Sequence, residues 1–98
     1  MMKAPPHPGR LLGRELKARD ISVAQAARDL RVSRQALSGV IHGHTAITPE
    51  MAVRIGHYIG SGPDIWVRMQ GNYSLVEAKA QLRDEIRKLP IADKAVAA

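Results

Sequence analysis

The sequence predicts an all-α protein, a compact bundle of five or six helices. Three observations carry that reading. No stretch alternates apolar and polar residues for long enough to form a strand. Apolar residues instead recur at three- and four-residue spacing through most of the chain. Hydroxyl residues suited to a helix N-cap stand just before several of these runs, and glycine or proline follows them. The 98 residues suffice for one small core without disulfide or metal staples.

Each element can be justified in order. Residues 1–8 contain Pro5, Pro6 and Pro8 and read as an extended, mobile arm. Pro8 or Gly9 opens a helix with Leu11, Leu12 and Leu16 on one face, and Asp20 stops it. Ser22 with Gln25 is a capping-box pair, starting a short helix from Val23 to Leu30 with Ala26, Ala27 and Leu30 inward. After Arg31 and Val32, Ser33 caps a helix from Arg34 to His42, and Gly43 ends it. Thr48, Pro49 and Glu50 combine a hydroxyl cap, a first-turn proline and a first-turn acid, and the helix they open reaches Ile59 before Gly60. Residues 61–64 open a fifth helix carrying Ile65, Trp66 and Met69. Ser74 with Glu77 reads as a second capping box, starting a sixth helix with the stripe Leu75, Ala78, Leu82, Ile86 and Leu89. Pro90 ends it, so the domain spans 9–89 and 90–98 form a tail.

Composition narrows the function. With no cysteine, disulfides, thiolate catalysis and thiolate metal sites are excluded, which suits a cytoplasmic chain. No apolar run approaches the ~18 residues of a membrane span, and MMKAPPHPGR lacks the apolar segment of a signal peptide, so no membrane role is expected. The net charge is +6. Residues 1–35 hold Lys3, Arg10, Arg14, Lys17, Arg19, Arg28, Arg31 and Arg34 against Glu15, Asp20 and Asp29, so nearly all the excess lies in the first third. Clustered positive charge favours a polyanion partner. With no Phe and only Tyr58, Trp66 and Tyr73 for stacking, duplex DNA suits the chain better than a single strand.

The segment from Val23 to Gly43, two short helices around a three-residue break, has the length of a helix-turn-helix (about residues 22–43). Ala27 is small where the helices must cross, and Val32, Leu37, Val40 and Ile41 supply the turn and inner face. At ~100° per residue, Gln35, Ser38, Gly39 and His42 share the opposite face, with Arg34 at its edge. Gln can pair bidentately with adenine, Arg with guanine, and Ser with several bases. Gly39 costs about 1 kcal/mol relative to Ala inside a helix, and close approach to DNA would offset it.

This segment resembles the helix-turn-helix of phage-repressor-type (XRE) regulators. Together with His7-Pro8-Gly9, TPEMA from Thr48 to Ala52, IGSGPDIW from Ile59 to Trp66, Gln70 and Ser74-Leu75, the chain resembles HigA-type (VapI-like) antitoxins over about residues 7–78. It departs from the phage repressors at Arg31, where they often carry glycine. A left-handed residue there would cost about 1–2 kcal/mol, so a modified turn or modest strain is expected. The resemblance implies a phage-repressor-like fold and a homodimeric repressor of its own operon that neutralises a co-encoded RelE-like (HigB-type) mRNA endonuclease toxin. It implies base contacts from Ser33, Arg34, Gln35 and Ser38, to which the helix geometry adds Gly39 and His42, and phosphate contacts from Ser22, Gln25, His44 and Thr45. Exposed N–H groups at a helix start suit phosphate.

Other classes are weaker. His42 and His44 could bind a metal, but no carboxylate lies near them in sequence to complete a site. Ser33 and Ser38 lack a recognisable base, so no catalytic residue and no cofactor is expected. His7 and His57 are read as structural or solvated. A stand-alone regulator without a toxin, or a toxin-binding protein that does not bind DNA, remains the alternative; an adjacent small basic reading frame upstream would favour the antitoxin. Trp66, Met69, Tyr73, Leu75, Leu82 and Ile86 are expected at a two-fold interface, although the sixth-helix stripe could equally close the bundle.

Overall fold

The computed structural model describes residues 5–92, which form six helices: α1 (Pro8–Ala18), α2 (Val23–Leu30), α3 (Arg34–Ile41), α4 (Pro49–Ile59), α5 (Asp64–Gln81) and α6 (Arg83–Lys88). Three of the starts follow from local chemistry. The side-chain oxygens of Ser22, Ser33 and Thr48 accept from the N–H groups of Gln25, Ala36 and Met51 at 3.0, 3.0 and 3.1 Å. Each satisfies a donor that the first helical turn leaves without a partner.

The helix ends turn through left-handed residues. Asp20 has φ 57° and Arg31 φ 59°, so the strain expected at Arg31 is present. Return bonds accompany both turns: Ile21 N–H donates to the Leu16 carbonyl at 2.9 Å and Val32 N–H to that of Ala27 at 3.0 Å. Arg54 of α4 adds a 2.8 Å bond to the Leu30 carbonyl, placing a cation at the negative end of α2.

The core draws on α1 to α5: Leu12 and Leu16, Ala26, Ala27 and Leu30, Leu37 and Val40, Ala52 and Ile55, and Trp66, with Ile47 from the loop before α4. Gln70 of α5 pins that loop by accepting from Ile47 N–H at 2.8 Å. α3 thus packs on α1 and α2, and α2 on α4.

Three expectations are corrected here. His7 and Pro8 do not belong to a free arm, because both are buried; residues 1–4 of that arm lie outside the described residues, as do 93–98 of the tail. His7 caps α1 through Nδ1, which accepts from Gly9 N–H at 3.0 Å. Ser74 does not start a helix. α5 runs through it, and its hydroxyl accepts from Gln70 Nε2 at 3.0 Å. The Ser22–Gln25 box forms only on its serine side, since the Gln25 amide donates to Asp29 at 2.8 Å and accepts from Arg28 at 2.7 Å.

The C-terminal end projects from this unit. The radius of gyration is 17.2 Å, against about 13 Å for a compact chain of this length. Every residue from Ser74 to Ala92 is exposed, and α6 buries nothing.

Gly9 shows how tightly α1 meets α3. A Cβ there would fall 1.7 Å from the Val40 carbonyl oxygen and 2.7 Å from its carbon, both backbone atoms. Gly9→Ala is therefore expected to separate the two helices at a cost of about 1–3 kcal/mol or more. A lowered urea midpoint reports this; an unchanged midpoint would contradict the close approach.

Candidate nucleic-acid interface

α3 buries one face and presents the other. Leu37 is 0% and Val40 2% exposed, whereas Arg34, Gln35 and His42 are exposed and Ser38 is half-buried. Among the described residues, the Arg34 and Gln35 side chains have no partner within the protein. The Ser33 hydroxyl is engaged as the α3 cap but remains exposed. His42 follows the last turn of α3, its Nδ1 donating to the Ser38 carbonyl at 2.8 Å.

Gly39 is half-buried, and its reason lies inside the protein. A Cβ there would meet Thr45 Oγ1 at 2.7 Å, while its carbonyl accepts from His44 and Thr45 N–H at 2.8 and 3.1 Å. Close approach to DNA is therefore not needed to account for it. The loop after α3 folds back onto this residue and leaves the His44 and Thr45 side chains exposed. Ser22 and Gln25, at the capped start of α2, are exposed as well.

Basic residues of α1 flank this surface. Lys17 shares a recess with Ser22 and Ile41, and Arg10 shares another with His42 and Gly43. Among the described residues the ion pairs are Arg19–Glu15, Arg54–Glu50 and Arg87–Asp84, so Arg10, Arg14, Lys17, Arg31 and Arg34 keep uncompensated charge. Sequence reasoning did not place Arg10 and Lys17 beside the α2 start and the α3 end; their seven-residue separation, two turns on one helix face, was the available signal.

The residues expected at a two-fold interface divide. Trp66 is 1% exposed and lies in the protomer's own core, with its indole N–H donating to Ser61 Oγ at 2.9 Å, so it cannot meet a second subunit. Met69 packs against the same core. Tyr73 is half-buried, edge-on to His7 at 4.9 Å, and donates to Glu77 at 3.0 Å. Leu75, Leu82 and Ile86 are exposed.

His7 links these layers. Burial pushes its pKa below 6.5, outweighing the opposing influence of Glu77 and the Thr45 backbone. A depressed folded-state pKa means that the unfolded chain binds more protons near and below 6.5. The stabilisation is thus complete above 6.5 and is lost as pH falls through the lower folded value, where protonation of Nδ1 also breaks the α1 cap. Between pH 7 and pH 5 the melting temperature of the native protein is expected to fall more than that of His7→Asn, which caps without titrating. Parallel curves would assign the pH dependence to other groups.

Surface and fold together define a helix-turn-helix protein of the DNA-binding type, a class without enzymatic chemistry. The helix-turn-helix family profile matches residues 12–66. Virulence-associated protein A′ of Dichelobacter nodosus is 37% identical over 89 residues, covering 90% of this chain and 77% of that protein. The Pseudomonas aeruginosa antitoxin HigA, solved with the higBA promoter, superposes with a TM-score of 0.84 at 33% identity, over 92% of this chain and 99% of that one. An addiction module antidote protein of the HigA family from Coxiella burnetii gives 0.84 at 27% identity, with the same coverage of both chains. The chain belongs to the helix-turn-helix family, and its solved structural neighbours include HigA-family antitoxins. Among the described residues no helix is long and apolar enough to cross a membrane.

Proposed function

We propose that the protein is a cytoplasmic antitoxin that binds the operator of its own operon as a homodimer and neutralises a co-encoded RelE-like (HigB-type) mRNA endonuclease. The observation that carries the DNA half is the outward face of α3, where Arg34 and Gln35 stand exposed and, among the described residues, unpartnered above a fully buried Leu37. In this reading Ser33, Arg34, Gln35, Ser38 and His42 meet base edges, while Ser22, Gln25, His44 and Thr45 meet phosphates. The toxin half rests on the likeness to HigA antitoxins, one of them solved with its promoter.

The dimer rests on an apolar face that nothing among the described residues covers. Along α5 and just beyond its end, Leu75 (54% exposed) and Leu82 (47%) lie on the side opposite Trp66, with Val67 (44%) at the flank of that face. Burying this stripe against its two-fold copy would set two α3 helices about 34 Å apart, one DNA turn. Leu75→Glu is expected to yield a folded monomer by light scattering at micromolar concentration; a dimer at that concentration would move the interface elsewhere.

The whole reading is tested by co-expressing the chain with the gene upstream, isolating the complex and adding the operon's promoter fragment. Co-purification and a specific gel shift are expected. A shift without a co-purifying partner would make the protein a stand-alone regulator, and co-purification without a shift would leave only toxin binding.

A further inference from the structure

A chain of hydrogen bonds runs from α4 across α2 to Arg28, a cation with no part in the contacts described so far. Gln25, Arg28 and Asp29 are neighbours on α2 at three- and four-residue spacing. The Tyr58 hydroxyl of α4 donates to Asp29 Oδ2 at 2.5 Å, and this bond pushes the phenol's pKa above 10.0, so it stays a donor. Asp29 Oδ1 accepts from the Gln25 amide at 2.8 Å, and Gln25 Oε1 accepts from Arg28 Nη2 at 2.7 Å. A carboxylate can only accept and a guanidinium can only donate, so each bond runs one way and the Gln25 amide has a single orientation.

The chain fixes where two opposite charges stand. Asp29 is held on the α4 side of α2, in a small recess that Arg31, Arg54 and His57 also line. Arg28 is held beside Gln25, in the first turn of α2, where Ser22 and Gln25 are exposed. Arg28 is itself exposed and forms no ion pair among the described residues. One of its five N–H donors goes to Gln25, and the rest of the fork suits a phosphate. Tethering the side chain beforehand reduces the rotamer freedom that binding would otherwise remove.

We propose that Arg28 binds a phosphate of the DNA duplex and that Tyr58, on a helix outside the DNA surface, is its positioning residue, acting through Asp29 and Gln25. This rests on the DNA-binding reading above and deepens it, since the α2 start then holds the backbone through a charged fork as well as through neutral groups. Gln25 keeps one amide N–H for a phosphate and otherwise holds Arg28.

The test uses the full chain and a duplex it selects from a randomised pool, with single phosphates replaced in turn by neutral methylphosphonates. Several replacements are expected to weaken native binding, and one in each half-site should cease to matter in Arg28→Ala. That variant should bind the unmodified duplex about tenfold more weakly, with base preference unchanged and the salt slope lower by about 1 per half-site. Tyr58→Phe alters no charge and keeps the ring. It is expected to weaken native binding about threefold and to add nothing in the Arg28→Ala background. Thermal melting checks that each variant is folded. Equal weakening by Tyr58→Phe in both backgrounds would overturn the positioning role and leave Tyr58 a structural residue. A phosphate scan identical for the native and Arg28→Ala proteins would overturn the contact, refuting this proposal alone. If the native chain selects no duplex, the DNA-binding reading fails and the proposal with it.

Discussion

Trp66→Ala is expected to lower the stability of the folded protomer by about 3–5 kcal/mol, the loss typical of removing a large buried aromatic. The indole is 1% exposed, and it is the largest of the fully buried side chains in a chain with no phenylalanine. Its N–H donates to Ser61 Oγ at 2.9 Å, so truncation also removes a bond joining α5 to the turn that follows α4. Small domains hold about 5–15 kcal/mol in total, and the variant should therefore be marginal at room temperature. Trp66→Phe keeps most of the volume and loses the hydrogen bond, at a cost nearer 1 kcal/mol. Urea unfolding separates the cases, with the midpoint falling in both and the slope unchanged. Concentration is the decisive variable. A core residue destabilises each protomer, whereas an interface residue shifts the monomer–dimer equilibrium and makes stability depend on protein concentration. Trp66→Ala should thus leave dimerisation of the folded fraction unchanged, and Leu75→Glu should do the reverse. The opposite pattern would return Trp66 to the two-fold interface.

Much of the fold was legible because its determinants are local. Ser22, Ser33 and Thr48 cap helices three residues ahead of the groups they satisfy, a relation visible in the sequence itself. The same rule misread Ser74, whose hydroxyl meets the Gln70 amide within a continuous α5 instead of a backbone N–H three residues on; Gln70 in turn bridges to the distant Ile47 backbone. His7 was missed as a cap because imidazole is not among the preferred capping groups, and burial between α3 and α5 is what fixes its ring. The outward face of α3 was readable from helical period, since Leu37, Val40 and Ile41 leave one choice for the inward face. α5 offered no such choice. It carries apolar residues on two opposite sides, with Trp66 inward and Leu75 outward, and spacing alone cannot tell which side meets the core. The cost of Gly39 was legible and its reason was not, because the side chain it accommodates, Thr45, arrives from a loop.

Operator affinity is expected to fall by about 10³- to 10⁵-fold between 50 and 200 mM salt, the response of a protein that neutralises 6–10 phosphates. The excess charge supplies the reason. Arg10, Arg14, Lys17, Arg31 and Arg34 pair with no acid among the described residues. Arg10 and Lys17 lie in recesses shared with the α3 end and the α2 start. Arg10, Arg14 and Lys17 share one face of α1, and a two-fold assembly would double their contacts to about six, the lower end of that range. Such contacts release bound cations from DNA and carry no sequence information. Lys17→Ala should therefore weaken binding to every duplex alike and lower the salt slope by about 1 per half-site. Arg34→Ala or Gln35→Ala should instead cost about 1–3 kcal/mol on the operator and relax specificity at one position. The two kinds of variant thus distinguish a charged flank that holds the duplex from a neutral-to-basic helix face that reads it. A flat response over this salt range would reject the flank. A Lys17→Ala protein that changes base preference would show that α1 reaches into the groove, which its position beside the capped start of α2 argues against.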